Sequence, residues 1–140
     1  MAKVTLSSHI GGADAGVAVW DVLAEIRQAF KLFGRKQYSS QIKEFRFHLM
    51  ISGEITNFKE PSGCVGVRLM KKDKYVKMEI VLGKEIWRGG NQKAIKKHLA
   101  NFVLQAFEMA IDRMKKQKID VKEDELINDV KNVVLKQFLS

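Results

Sequence analysis

An α+β fold of two layers is predicted for this 140-residue chain by three observations. Apolar residues recur at three- and four-residue spacing near the start of the chain and again through its last third, which is the period of a helix. Between these stretches, three runs alternate apolar with polar residues, the period of a half-buried strand. Short polar or glycine-containing connections separate the runs. The expected order is a helix, a three-stranded antiparallel meander, a long helix and a C-terminal helix (α-β-β-β-α-α), in a single domain spanning 1–140.

Met1 to Asp14 carries no clear pattern. Ser7-Ser8-His9-Ile10-Gly11-Gly12 has loop chemistry, so residues 1–13 are expected to be mobile. The first helix is read from Val17, Trp20, Leu23, Ile26, Phe30 and Phe33, and Gly34 is its expected left-handed cap. Arg35 to Gln41 is a polar connection. In Glu44 to Ile55, Phe45, Phe47, Leu49 and Ile51 face one way and Arg46, His48, Met50 and Ser52 the other. Asn57 to Gly63 holds the only proline, Pro61, and reads as a loop. Cys64 to Met70 is the second strand and Tyr75 to Leu82 the third, joined by the charged turn Lys71-Lys72-Asp73-Lys74. The polar side of this sheet carries Arg46, His48, Arg68, Lys77 and Glu79, and is expected to meet water.

The long helix, Asn91 to Lys116, has Asn91 as its N-cap and a stripe through Ile95, Leu99, Val103, Phe107, Ala110 and Met114. A last helix, Glu123 to Leu139, has acidic residues in its first turn, where the helix dipole favours them, with Asp120 or a neighbour as its cap. Its stripe runs through Leu126, Val130, Val134 and Phe138.

The formal charge is +9, unevenly spread. Six cations stand against Glu44 between Arg27 and Arg46, whereas the stretch from Asp120 turns acidic. Such a balance favours an acidic protein or a polyanion as partner. The single cysteine, Cys64, excludes an intramolecular disulfide and fits a reducing compartment. No N-terminal stretch has the form of a secretion signal, and no apolar run nears the roughly 18–20 residues needed to span a bilayer. A cytoplasmic protein with no membrane partner is expected.

Residues that carry chemistry are sparse. His9, His48 and His98 are far apart, and with one cysteine they make no zinc-ligand spacing. Cys64 has no motif supplying a base, and no G-x-S-x-G occurs. Gly89-Gly90 lacks the Lys-Ser/Thr pair of a phosphate-binding loop. Neither an enzyme nor a cofactor or metal site is expected. Trp20 lies in a helical stripe and reads as core. Trp87 sits at a strand-to-helix junction beside Arg88, as a core plug or a partner anchor, and both residue types are common at binding hot spots. A helix starting after two glycines with Lys93, Lys96 and Lys97 in its first turns is suited to an anionic group. Trp87, Arg88, Lys93, Lys96 and Lys97 therefore form the expected partner-binding set. The apolar residues Val103, Leu104, Phe107 and Ile111 offer either a core or the seam of a homodimer.

Two resemblances bear on function. Lys115-Lys116-Gln117-Lys118-Ile119-Asp120-Val121 followed by Glu123 to Phe138, after a small sheet ending near a tryptophan, resembles small bacterial immunity proteins of polymorphic-toxin and contact-dependent-inhibition systems. That resemblance implies a cytoplasmic protein that binds a cognate toxin domain and blocks it. With a charge of +9, the partner surface would be acidic, or the contact would use the acidic Asp120–Asp129 region. The order helix, three strands, helix, with Gly89-Gly90-Asn91-Gln92-Lys93-Ala94-Ile95-Lys96-Lys97 at the helix start, resembles a double-stranded-RNA-binding domain and implies phosphate contacts. Toxin neutralisation is the leading expectation, and nucleic-acid binding through the basic helix is the alternative.

Overall fold

The structure is a computed structural model describing residues 3–10, 16–31, 36–51, 63–83, 86 and 91–138, with the backbone alone at 3–10, 16–20, 51 and 137. The elements are β1 (Lys3–Ile10), α1 (Gly16–Ala29), β2 (Glu44–Ile51), β3 (Gly63–Met70), β4 (Tyr75–Leu82), α2 (Gln92–Lys116), α3 (Glu123–Lys131) and a π-helical segment, Asn132–Phe138. The four strands form one sheet in the order β1-β2-β4-β3. β1 and β2 are parallel, β2 and β4 are parallel, and only β3 and β4 are antiparallel.

The α+β class stands, but the expected meander is corrected to a mixed sheet. Alternation along a strand tells which residues share a face, not which strands are neighbours. The β3–β4 hairpin forms through Lys71–Lys74 as its short turn requires, with Lys74 in the left-handed region at φ 60°. β3 then occupies the edge, leaving β4 beside β2.

The loop chemistry read at Ser7 to Ile10 is corrected, because Lys3–Ile10 is a strand. Its pairing with β2 runs from Lys3↔Glu44 to Ile10↔Ile51. That contact joins residues about forty positions apart and leaves little mark on the local sequence. α1 lies between β1 and β2 in the chain, the crossover that parallel neighbours need.

α1 ends at Ala29, short of the expected Gly34, which lies outside the described residues along with Trp20's side chain. Its last turn closes with the Phe30 N–H donating to the Ile26 carbonyl at 3.1 Å. α2 begins as expected, with Asn91 Oδ1 accepting from the Ala94 N–H at 3.2 Å. At its other end the Ile119 N–H donates to the Met114 carbonyl at 2.9 Å across Lys118, which is left-handed at φ 60°. Lysine here occupies the position glycine usually takes in such a cap. The expected cap on α3 does not form: Lys122 is the N-cap and makes no side-chain hydrogen bond to the helix.

The core lies between one sheet face and the helices. Phe45, Phe47 and Leu49 of β2 register with Val76, Met78 and Ile80 of β4, and all six are buried. Phe107 of α2 is the centre of an aromatic cluster, with ring centroids 5.2 Å from Phe47, 5.8 Å from Phe45 and 6.2 Å from Phe30. Val103, Phe107 and Ile111 are thus buried within one chain, and Leu104 packs partly against them. After α3 the chain widens into the π segment, where residues five apart share a face. Val133 and Phe138 are both buried as a result, together with Val134.

Candidate partner-binding surface

The five residues expected at the site are not presented alike. Trp87 and Arg88 lie outside the described residues. Lys93 and Lys97 are exposed on α2, one turn apart. Lys96 turns inward: its Nζ pairs with Glu25 of α1, reaches the Phe138 carbonyl at 3.3 Å and lies 5.5 Å from the centre of the Phe138 ring. Lys96 therefore clasps α1 and the π segment to α2. Gln92 adds a second tie to α1, donating to Asp21 Oδ2 at 3.3 Å.

At the opposite end of α2, a polar clamp holds the segment 36–43. Asp120, no longer a helix cap, accepts from the Ser40 N–H at 2.9 Å and the Ser40 hydroxyl at 2.6 Å. These bonds hold its carboxyl below the usual carboxylate range. Ser39, itself buried, accepts from the N–H groups of Gln41 and Ile42 at 3.1 Å each. The Tyr38 hydroxyl donates to Asp129 at 2.6 Å, and Lys36 reaches the same carboxylate at 3.0 Å. Burial, reinforced by Asp129, pushes the tyrosine hydroxyl well above its ordinary range. Part of the acidic Asp120–Asp129 region is thereby engaged within the fold.

The sheet face opposite the core carries no described helix, and the expectation that this side meets water is met: Cys64, Gly66 and Arg68 on β3 are exposed, and the corresponding β2 and β4 residues are half-buried. Strand register orders this face into ranks. Arg68, Lys77 and Arg46 lie opposite one another across β3, β4 and β2. Cys64, Val81 and Met50 form a second rank nearer the C-terminal end of β4. Gly66, Glu79 and His48 lie between the two. Arg46 Nε pairs with Glu44 at 2.8 Å while its guanidinium sits 3.7 Å over the Tyr75 ring. Lys77 pairs with Glu79 at 3.1 Å. Partial burial, with Glu79 nearby, raises the Cys64 thiol above its ordinary range. Sequence reasoning placed Arg68 on the polar side but missed Cys64 and Gly66 there, and it missed the ranks that run on from β4 to β2, because these are set by the β2–β4 pairing.

Among the described residues, no three histidine, cysteine, aspartate or glutamate side chains converge as metal ligands. No helix among them is long and apolar enough to cross a membrane.

Comparison with known families places the chain among the immunity proteins, a class that is generally non-catalytic and implies a toxin partner. The family model described as Immunity protein 44 matches residues 3–136, and the chain belongs to that family. No curated protein and no solved structure matches it. The resemblance to immunity proteins is thus borne out. The resemblance to a double-stranded-RNA-binding domain loses its topological basis, since the sheet is not an antiparallel meander.

Proposed function

We propose that this protein acts in the cytoplasm, binding a cognate toxin domain and neutralising it by occupying its surface, without catalysis. The observation that carries this reading is the Immunity protein 44 match across residues 3–136. The electrostatics of α2 support it. Lys93 and Lys97 stand at i and i+4 near the positive end of the helix dipole, with no acidic residue in the first turn. Both arrangements weaken a helix by a few tenths of a kcal/mol. They do nothing for the fold, and an acidic partner would relieve them. Trp87 and Arg88 complete this contact set in the proposal, and Lys96 positions the helix through Glu25 and Phe138.

The test is growth protection in bacteria expressing a toxin domain, taken from any toxin gene found beside the gene for this chain. The wild-type chain should restore growth, and Lys93→Glu with Lys97→Glu should weaken the complex. A wild-type chain that neither binds nor protects against that domain removes the reading. Survival of the complex under nuclease treatment separates protein binding from a nucleic-acid grip.

A further inference from the structure

The start of α2 is too small to hold a stable complex alone, since a standard interface covers about 800 Å² on each partner. The uncovered sheet face can supply much of the remainder. Eight residues per strand at about 3.3 Å, and the three strands β2, β4 and β3 at about 4.8 Å, make a surface of roughly 26 by 14 Å, or about 370 Å².

The charge on this face is arranged against the sheet's own interest. Like charges directly opposite each other weaken strand pairing, yet Lys77 stands between Arg68 and Arg46. Glu44 and Glu79 answer Arg46 and Lys77. Arg68 is exposed and has no ion pair among the described residues, so the face keeps a surplus cation at its edge strand. Beside Arg68 the surface is notched: a Cβ added at Gly66 would meet nothing within 4 Å. Beyond the notch lies the rank containing Val81 and Met50.

We propose that this open face is the main toxin-docking surface and that it takes an acidic segment of the toxin domain, with a carboxylate at Arg68 and an apolar side chain over the Gly66 notch. The inference rests on the immunity reading above. A second copy of the chain is a poorer occupant, because it would bring another Arg68 rank and another +9 chain against the first.

The chain carries its own reporter, since its only cysteine lies on this face. Maleimide labelling of Cys64 is measured at mildly alkaline pH in the full chain, alone and in complex with the purified, catalytically inactivated toxin domain. Labelling should slow about tenfold or more in the complex, as expected for a site enclosed by an interface. Unchanged labelling in a complex that co-elutes on size exclusion overturns the inference. So does labelling of the chain alone that slows with its own concentration, which assigns the face to a second copy.

Two variants add an independent readout. Gly66→Trp fills the notch from open space, and Arg68→Glu reverses the surplus charge. Both should keep the wild-type circular dichroism and melt no lower than wild type while losing growth protection. Folded variants that protect as well as wild type overturn the inference. If they protect and Lys93→Glu with Lys97→Glu does not, docking is confined to α2 and the immunity reading stands. If the wild type itself does not protect, both readings fail.

Discussion

The two faces of the sheet are made by the same strands and follow opposite rules. On the inner face, Phe45, Phe47, Val76, Met78 and Ile80 are almost completely buried, and shape decides what is tolerated. On the outer face, ion pairs, an arginine over a tyrosine ring and a bare glycine share one surface with room to spare. The inner face holds the molecule together. The outer face is where side chains can be exchanged without disturbing the packing, and where a like-charge rank survives because water screens it.

The largest effect expected from breaking the inner face is at Phe107. Phe107→Ala removes the ring that Phe30, Phe45 and Phe47 all meet, and should cost about 3–5 kcal/mol. Denaturant unfolding measures it. A loss below about 1 kcal/mol would mean that the cluster collapses to fill the gap, and that the two faces differ less in what they tolerate.

Two glycines on one strand sharpen the contrast at intermediate size. Gly63 has φ 131°, and a Cβ there would overlap the Val81 carbonyl oxygen. Gly63→Ala should therefore destabilise by about 1–3 kcal/mol, the range for backbone strain. Three residues on, Gly66 faces open space, and Gly66→Ala should stabilise by roughly 0.5–1 kcal/mol through reduced freedom of the unfolded chain. Equal effects at the two positions, read from thermal melts, would contradict this account of β3.

The smallest effect has the unusual sign. Arg68→Glu replaces a repulsion across from Lys77 with an attraction, and should stabilise the isolated protein by about 0.2–1 kcal/mol at low salt, fading as salt is added. A destabilised variant would show that Arg68 is structurally engaged after all. A stabilised variant that no longer protects against toxin would show that the wild-type residue trades stability for binding.

Much of the secondary structure was legible along the chain. Tyr75–Leu82 and the helix from Asn91 were read correctly, because alternation and a capping asparagine are local signals. Strand β1 was not, since its identity comes from pairing with residues that follow a helix and a loop. The site was legible only in outline. Lys96 carries the same charge and lies on the same helix as Lys93 and Lys97, and nothing in the sequence marks it as the one that turns inward to Glu25 and Phe138. Asp120 likewise reads as a helix cap until the segment bearing Ser40 is brought against it.

By itself, the sequence determined which residues alternate, which repeat at helical spacing and how the charge is distributed. These depend on neighbours a few positions away. The tertiary structure decided which strands lie side by side, and therefore that Arg68, Lys77 and Arg46 form one rank and that Gly66 opens a notch beside it. Those relations depend on which of several possible pairings buries Phe45, Phe47, Val76 and Met78 together against Phe107, a choice made by the whole core at once.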